Sequence, residues 1–227
     1  MSDKQKIREE NELNILEHLH RFGWLTTRMV SALVWPNASQ GESMARRTLK
    51  RLADSKLILR RPLSSGKMEV YTLSTSGAKQ LRDVLGISAI SGNKLPLANP
   101  IHRACANWYL IRKLSQGFTV RTEYEIQTGR APWGIHNGKT ADGLVETELG
   151  VTWVEVENSW KNRARRETII RFVEQGLGDP ENRIGLNGGK VLFRVAVVAT
   201  NEDALRSITQ TFKESLDHVT CSLRLVR

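Results

Sequence analysis

Apolar positions along the first half of the chain recur at helical spacing, then alternate, then recur at helical spacing again. Ile15, Leu16, Leu19 and Phe22 fall on one face of a helix predicted from about Lys6 to Phe22, with Gly23 as its stop signal. Thr26 or Thr27 caps a short second helix carrying Met29, Val30 and Leu33, which Pro36 ends. After the polar loop "NASQGES", a third helix over 42–56 places Ala45, Leu49, Leu52 and Ala53 on one stripe. Two short strands follow, "LILRR" and "MEVYTLS", joined by "PLSSGK" as a hairpin. A fourth helix, capped by Ser74 or Thr75, carries Ala78, Leu81, Val84 and Leu85.

The outward positions of the third helix are Ser43, Arg46, Arg47, Lys50 and Arg51. An apolar back and a cationic front are what a helix needs to lie on DNA, with phosphates and base edges as its partners. Arg60, Arg61 and Lys67 gather at the hairpin. Helix, helix, basic helix, basic hairpin and helix is the order of a winged helix-turn-helix, expected over residues 1–87. The stretch "SAISGNKLPLANP" has small residues, Gly and Pro without periodicity, and reads as a linker over 88–99.

Residues 100–227 read as α-β-β-β-α-β-α-β, a mixed sheet flanked by helices. Asn99 is placed to cap a helix with Ile101, Ala104, Cys105, Trp108 and Ile111 on one face. "FTVRTEYEI" looks like a strand, followed by a loop with Gly129, Pro132, Gly134 and Gly138. "DGLVETE" and "VTWVEVE" are two strands joined tightly. A helix from about Lys161 to Gln175 starts basic with Arg163, Arg165 and Arg166, which could hold strand phosphates or simply be solvated. "VLFRVAVVA" is nearly continuously apolar, as expected of a strand covered on both faces. A helix over 202–216 and the strand "TCSLRLV" close the chain. The whole is a two-domain chain of mixed α and β structure.

Charge sharpens the division. Net charge is +10, and residues 1–97 hold 16 Lys and Arg against 9 Asp and Glu. Residues 98–227 hold 18 against 15, so most of the excess lies in the first half, which points to a polyanionic partner such as nucleic acid. No 18-residue apolar run and no apolar leader segment occur, so neither a membrane span nor a secretory signal is expected. Cys105 and Cys221 read as separate buried thiols, suited to a reducing cytoplasm.

The chemistry concentrates in "WVEVENSWKN". On a strand, Trp153, Glu155 and Glu157 share one face. Either this is an edge strand with its acidic face in water, or the acids hold a cation. Asp142 begins the preceding strand, and a tight hairpin brings it toward Glu155 and Glu157. Three carboxylates there suit Mg²⁺ or Mn²⁺ as hard oxygen donors. Glu123 is a further acid nearby in the chain, and His136 lies in the loop before Asp142. Tyr109 and Tyr124 fit either packing or a nucleophilic role, and Trp160 either packing or stacking on a base. His18-Leu19-His20 matches a metal-binding His pair only on a strand; on a helix the two lie about 200° apart. "GLNGGK" lacks the spacing of a phosphate-binding loop, and His102 reads as a structural histidine.

Asp142 followed by Glu155-Val156-Glu157 on this element order resembles the restriction-endonuclease-like PD-(D/E)xK superfamily. "TAD" stands where that family usually has Pro-Asp, and Glu157 where it usually has Lys, with Lys161 as the candidate replacement. With the winged helix in front, residues 10–227 resemble plasmid replication-relaxation proteins and, more closely, MobC-type relaxases. The resemblance implies a bacterial cytoplasmic protein that binds an origin of transfer and nicks one strand with Mg²⁺ or Mn²⁺. Its implied catalytic set is Asp142, Glu155, Glu157 and Lys161, and its implied partners are double-stranded and nicked DNA with relaxosome or coupling proteins. A non-catalytic DNA-binding regulator or accessory protein with a degenerate nuclease domain is the alternative.

Overall fold

The computed structural model describes residues 2–63, 68–157, 163–177, 185, 190–199 and 201–215. The chain forms two compact units, Met1–Ala98 and Asn99–Arg227, of mixed α and β structure. Among the described residues, no helix is long and apolar enough to cross a membrane.

The first unit runs α1 (Asp3–Phe22), β1 (Trp24–Leu25), α2 (Thr27–Val34), α3 (Gly41–Asp54), β2 (Ile58–Pro62), β3 (Glu69–Leu73) and α4 (Thr75–Leu85). Hydroxyl caps open three of the helices: Ser2 accepts from the Gln5 N–H, Thr26 from Met29 and Ser74 from Gly77. Gly23, at φ 78°, turns the chain out of α1, a conformation that costs glycine little. The antiparallel sheet has the order β1-β3-β2, with Trp24 opposite Thr72 and Ile58 opposite Leu73. The expected stripes meet in its core: Ile15, Leu16, Leu19, Met29, Ala45, Leu49 and Leu52 are all buried.

The stretch read as a linker instead belongs largely to this unit. Ala89 and Leu95 are buried, and the Gly92 N–H donates to the Leu73 carbonyl at 2.7 Å. The Ile90 N–H donates to His20 Nδ1 at 3.3 Å, and Arg61 Nη1 donates to the carbonyls of Gly92 and Leu95 at 3.2 and 2.6 Å. A segment without periodicity can still be ordered when its backbone groups find partners on a neighbouring surface.

The second unit runs α5 (Pro100–Ser115), β4 (Thr119–Thr122), α6 (Glu123–Gln127), β5 (Ile135–His136), β6 (Lys139–Thr140), β7 (Gly143–Thr147), β8 (Gly150–Glu157), α7 (Arg163–Leu177), β9 (Leu192–Ala199) and α8 (Glu202–Ser215). Its four-stranded sheet has the order β4-β7-β8-β9: β4, β7 and β8 form an antiparallel meander, and β9 runs parallel to β8. Trp153 and Phe172 pack at 4.9 Å between ring centroids, within a core that includes Leu144, Val151 and Leu192.

Three expectations change here. The strand expected over "FTVRTEYEI" stops at Thr122, because Thr122 and Glu125 form a reciprocal capping box that starts α6. Asn99 sits before α5 at φ 50° without a side-chain cap, and Pro100 opens the helix instead. The loop before Asp142 contains the β5-β6 hairpin, turned by Asn137 and Gly138 at φ 48° and 77°. The closing strand "TCSLRLV", with Cys221, lies outside the described residues.

Candidate functional site

All of β8 is buried, including Glu155 at 6% exposure and Glu157 at 2%, so the water-facing edge strand does not apply. A buried carboxylate requires a partner. For Glu155 that partner is Lys139, whose Nζ lies 2.7 Å from Oε1. Trp153 Nε1 donates weakly to Oε2 at 3.5 Å. Lys139 is delivered by the β5-β6 turn, and its ammonium also stands 5.8 Å from the Phe172 ring centroid. Sequence reasoning missed this lysine. The signal was the Asn137-Gly138 pair, which favours a two-residue hairpin and so fixes where the next residue lies.

Asp142 lies just outside the ladder, before the Gly143–Val154 pair. Its N–H donates to the Val154 carbonyl at 3.0 Å, and its Oδ2 accepts the Val156 N–H at 2.7 Å. The same oxygen faces His102 Nε2 at 3.3 Å. Asp142 is therefore tied to the stretch of β8 that carries both glutamates. The hydrogen bond to Asp142 raises the His102 pKa above its ordinary value; burial opposes this, and the charges of Asp142, Glu123 and Glu155 assist it. His102, read as structural, thus belongs to the acid cluster. Beside it, Arg103 reaches Glu123 at 3.1 Å and Gln127 at 3.3 Å.

His136 packs against Phe172 at 6.3 Å between ring centroids, on the hairpin that carries Lys139. Tyr124 is buried, with the Arg130 guanidinium 5.0 Å from its ring centroid. Burial raises the Tyr109 pKa, with Arg194 opposing, and a raised pKa disfavours the phenolate that a nucleophile needs.

As arranged, the acid cluster is knit to protein donors. Glu155 and Asp142 already engage protein donors, and among the described residues no three His, Cys, Asp or Glu side chains are disposed to hold a metal. Lys161 and Trp160 lie outside the described residues. α7 begins at Arg163, but the side chains of Arg163, Arg165 and Arg166 also lie outside them.

In the first unit, Ser43, Arg46, Arg47 and Lys50 are exposed along α3. Arg46 pairs with Glu42 at 3.3 Å and Lys50 with Asp54 at 3.4 Å; exposed pairs of this kind are weak and can be exchanged for phosphate contacts. Arg51 differs: its Nε meets Glu12 of α1 at 2.5 Å. The hairpin cations are also engaged. Arg60 Nη2 donates to both carboxylate oxygens of Glu69, at 2.8 and 3.1 Å, while Arg61 turns to the carbonyls of Gly92 and Leu95. Lys67 lies outside the described residues.

Compared with known proteins, the chain matches no family model, no curated protein and no solved structure.

Proposed function

We propose that the chain binds duplex DNA through the exposed face of α3. One observation carries this reading: Ala45, Leu49 and Leu52 anchor the helix from behind, which leaves Ser43, Arg46, Arg47 and Lys50 at the surface of a unit with a large cationic excess. The order α1-β1-α2-α3-β2-β3, with β1 seated beside β3, supports reading the unit as a winged helix whose α3 enters the major groove. Anisotropy of a labelled duplex at several salt concentrations tests it. Arg47→Ala with Lys50→Ala should weaken binding and flatten the log–log salt slope by about 0.9 for each phosphate that is no longer neutralised. Unchanged affinity with an unchanged slope defeats the proposal.

A second reading adds catalysis. The meander β4-β7-β8, crossing through α7 to the parallel β9, favours a restriction-endonuclease-like layout with Asp142, Glu155 and Glu157 at one end of the sheet. In this reading the chain is a MobC-type relaxase that nicks one strand at an origin of transfer in a bacterial mobile element. One acid set cuts one phosphodiester. Holding Mg²⁺ or Mn²⁺ there would mean Asp142 and Glu155 exchanging His102 and Lys139 for the ion. Supercoiled origin plasmid incubated with each metal should become open-circular with the wild type and stay supercoiled with Glu155→Ala. A linear product excludes single-strand nicking. Tight binding without any product leaves the non-catalytic regulator or relaxosome accessory.

A further inference from the structure

The buried stripe of α1 does not end where the core ends. Toward the N-terminus from Ile15, at helical spacing, the same side of the helix carries Asn11, Arg8 and Lys4. These face α3 across a groove of about 300 Å³. On the α3 side the groove is lined by Met44, Arg47, Thr48 and Arg51, and Trp35 also lines it. Ile7 lies beside it with 57% of its surface exposed, an apolar residue that the core does not use.

Cations on both walls and apolar surface between them suit a ligand that is anionic at one point and flat and apolar at another. The nearby acid Glu12 is already shared by Arg8 and Arg51 at 3.7 and 2.5 Å. Continuity decides among the candidates: Arg47 belongs both to this groove and to the exposed face of α3, so a strand leaving a duplex held on α3 would enter it. Duplex DNA keeps its base faces stacked on neighbouring bases, where Trp35 cannot reach them. An unpaired nucleotide offers a phosphate and a free base face together.

We infer that the groove between α1 and α3 binds single-stranded DNA, with a phosphate between Arg8 and Arg47 and a base against Trp35 and Met44. The inference rests on the DNA-binding reading of the first unit. It extends the exposed α3 face, with which it shares Arg47, to Lys4, Arg8 and Trp35, and suits a protein that holds a locally opened duplex. Lys4 and Asn11, at the groove's outer and inner positions along α1, are placed for the next phosphate and for a base edge.

The test titrates the full chain with a labelled eight-nucleotide oligo(dT) and, separately, with a duplex. Trp35→Leu keeps an apolar side chain but removes the stacking face. It should weaken oligo(dT) binding about tenfold or more and leave duplex binding within about threefold. Lys4→Ala with Arg8→Ala should weaken oligo(dT) binding about three- to tenfold and reduce its salt slope. Arg46→Ala with Lys50→Ala should do the reverse, lowering duplex affinity more than oligo(dT) affinity. Circular dichroism confirms that each variant is folded. Equal oligo(dT) affinity in wild type and Trp35→Leu overturns the inference. So does an equal loss for both DNAs in the Lys4/Arg8 variant, which would make the groove part of the duplex interface. A helical Glu-rich peptide that binds the groove where oligo(dT) does not would overturn it in favour of a protein partner. Duplex binding without oligo(dT) binding defeats this inference alone, whereas loss of both defeats the DNA-binding reading beneath it.

Discussion

Glu155 is buried with the Lys139 ammonium 2.7 Å from one of its oxygens, so removing that ammonium takes away its charged partner. Lys139→Met should therefore destabilise the protein by roughly 1–3 kcal/mol, at or below the lower end of values for broken buried pairs because the lysine itself is partly solvated. Adding Glu155→Gln should recover part of that loss. A double-mutant cycle from urea melts measures the coupling, and independent, additive losses would show that the pair does not interact. Two histidines give opposite pH signatures. His102 has its folded value raised by Asp142, so its contribution is fully present below pH 6.5 and is lost as pH rises through the raised value. His18 has its value lowered to about 4, mainly by burial and secondarily by Arg21, and its Nδ1 is buried without a partner. Its contribution is present above 6.5 and is lost as pH falls toward 4. Melting temperatures from pH 4 to 9 should show His18→Gln reducing the acid-side decline and His102→Gln reducing the decline that sets in as pH rises above 6.5.

Among the elements, α4 lies close against the chain at Gly77. A Cβ built on Gly77 would lie 2.2 Å from the Leu57 carbonyl oxygen, a backbone atom that cannot rotate away. Gly77→Ala, although favourable for an isolated helix, should cost about 1–3 kcal/mol through displacement of α4. An unchanged denaturation midpoint would show that the helix shifts freely. The helices of the first unit were legible in the sequence because their apolar stripes are long and their hydroxyl caps are standard. The shared face of Glu155 and Glu157 was legible from alternation, but their burial was not: alternation marks a face without saying what covers it. Two local signals were overlooked. Thr122-x-x-Glu125 announces a helix start within an apparent strand, and Asn137-Gly138 announces a hairpin within an apparent loop. The partners of Arg51 and Arg61 could not be read at all. Glu12 lies 39 residues from Arg51, and the carbonyls of Gly92 and Leu95 lie 31 and 34 residues from Arg61. Such contacts exist only once the chain has folded, and they separate cations available to a ligand from cations already engaged. Arg61→Ala should accordingly lower thermal stability while leaving the salt slope of DNA binding unchanged, whereas Arg47→Ala should do the opposite.

Over the whole molecule, each unit pairs some strands far apart in sequence. In the first, β1 waits for β3 across α2, α3 and β2. In the second, β8 must wait for β9, which begins at Leu192, well after Glu157 ends β8. At roughly 5–20 residues per second, synthesis leaves that edge of β8 without its neighbour for on the order of 2–7 seconds. During this interval Trp153, Val154 and Val156 belong to an open strand, the kind of segment that recruits other chains. Glu155 and Glu157, enclosed in the finished sheet, are then two exposed negative charges on that strand. The acids thus act as guards of an unfinished edge before they become buried groups. Glu157→Val should raise light scattering during refolding from urea in proportion to protein concentration, even where the folded variant, once formed, remains stable.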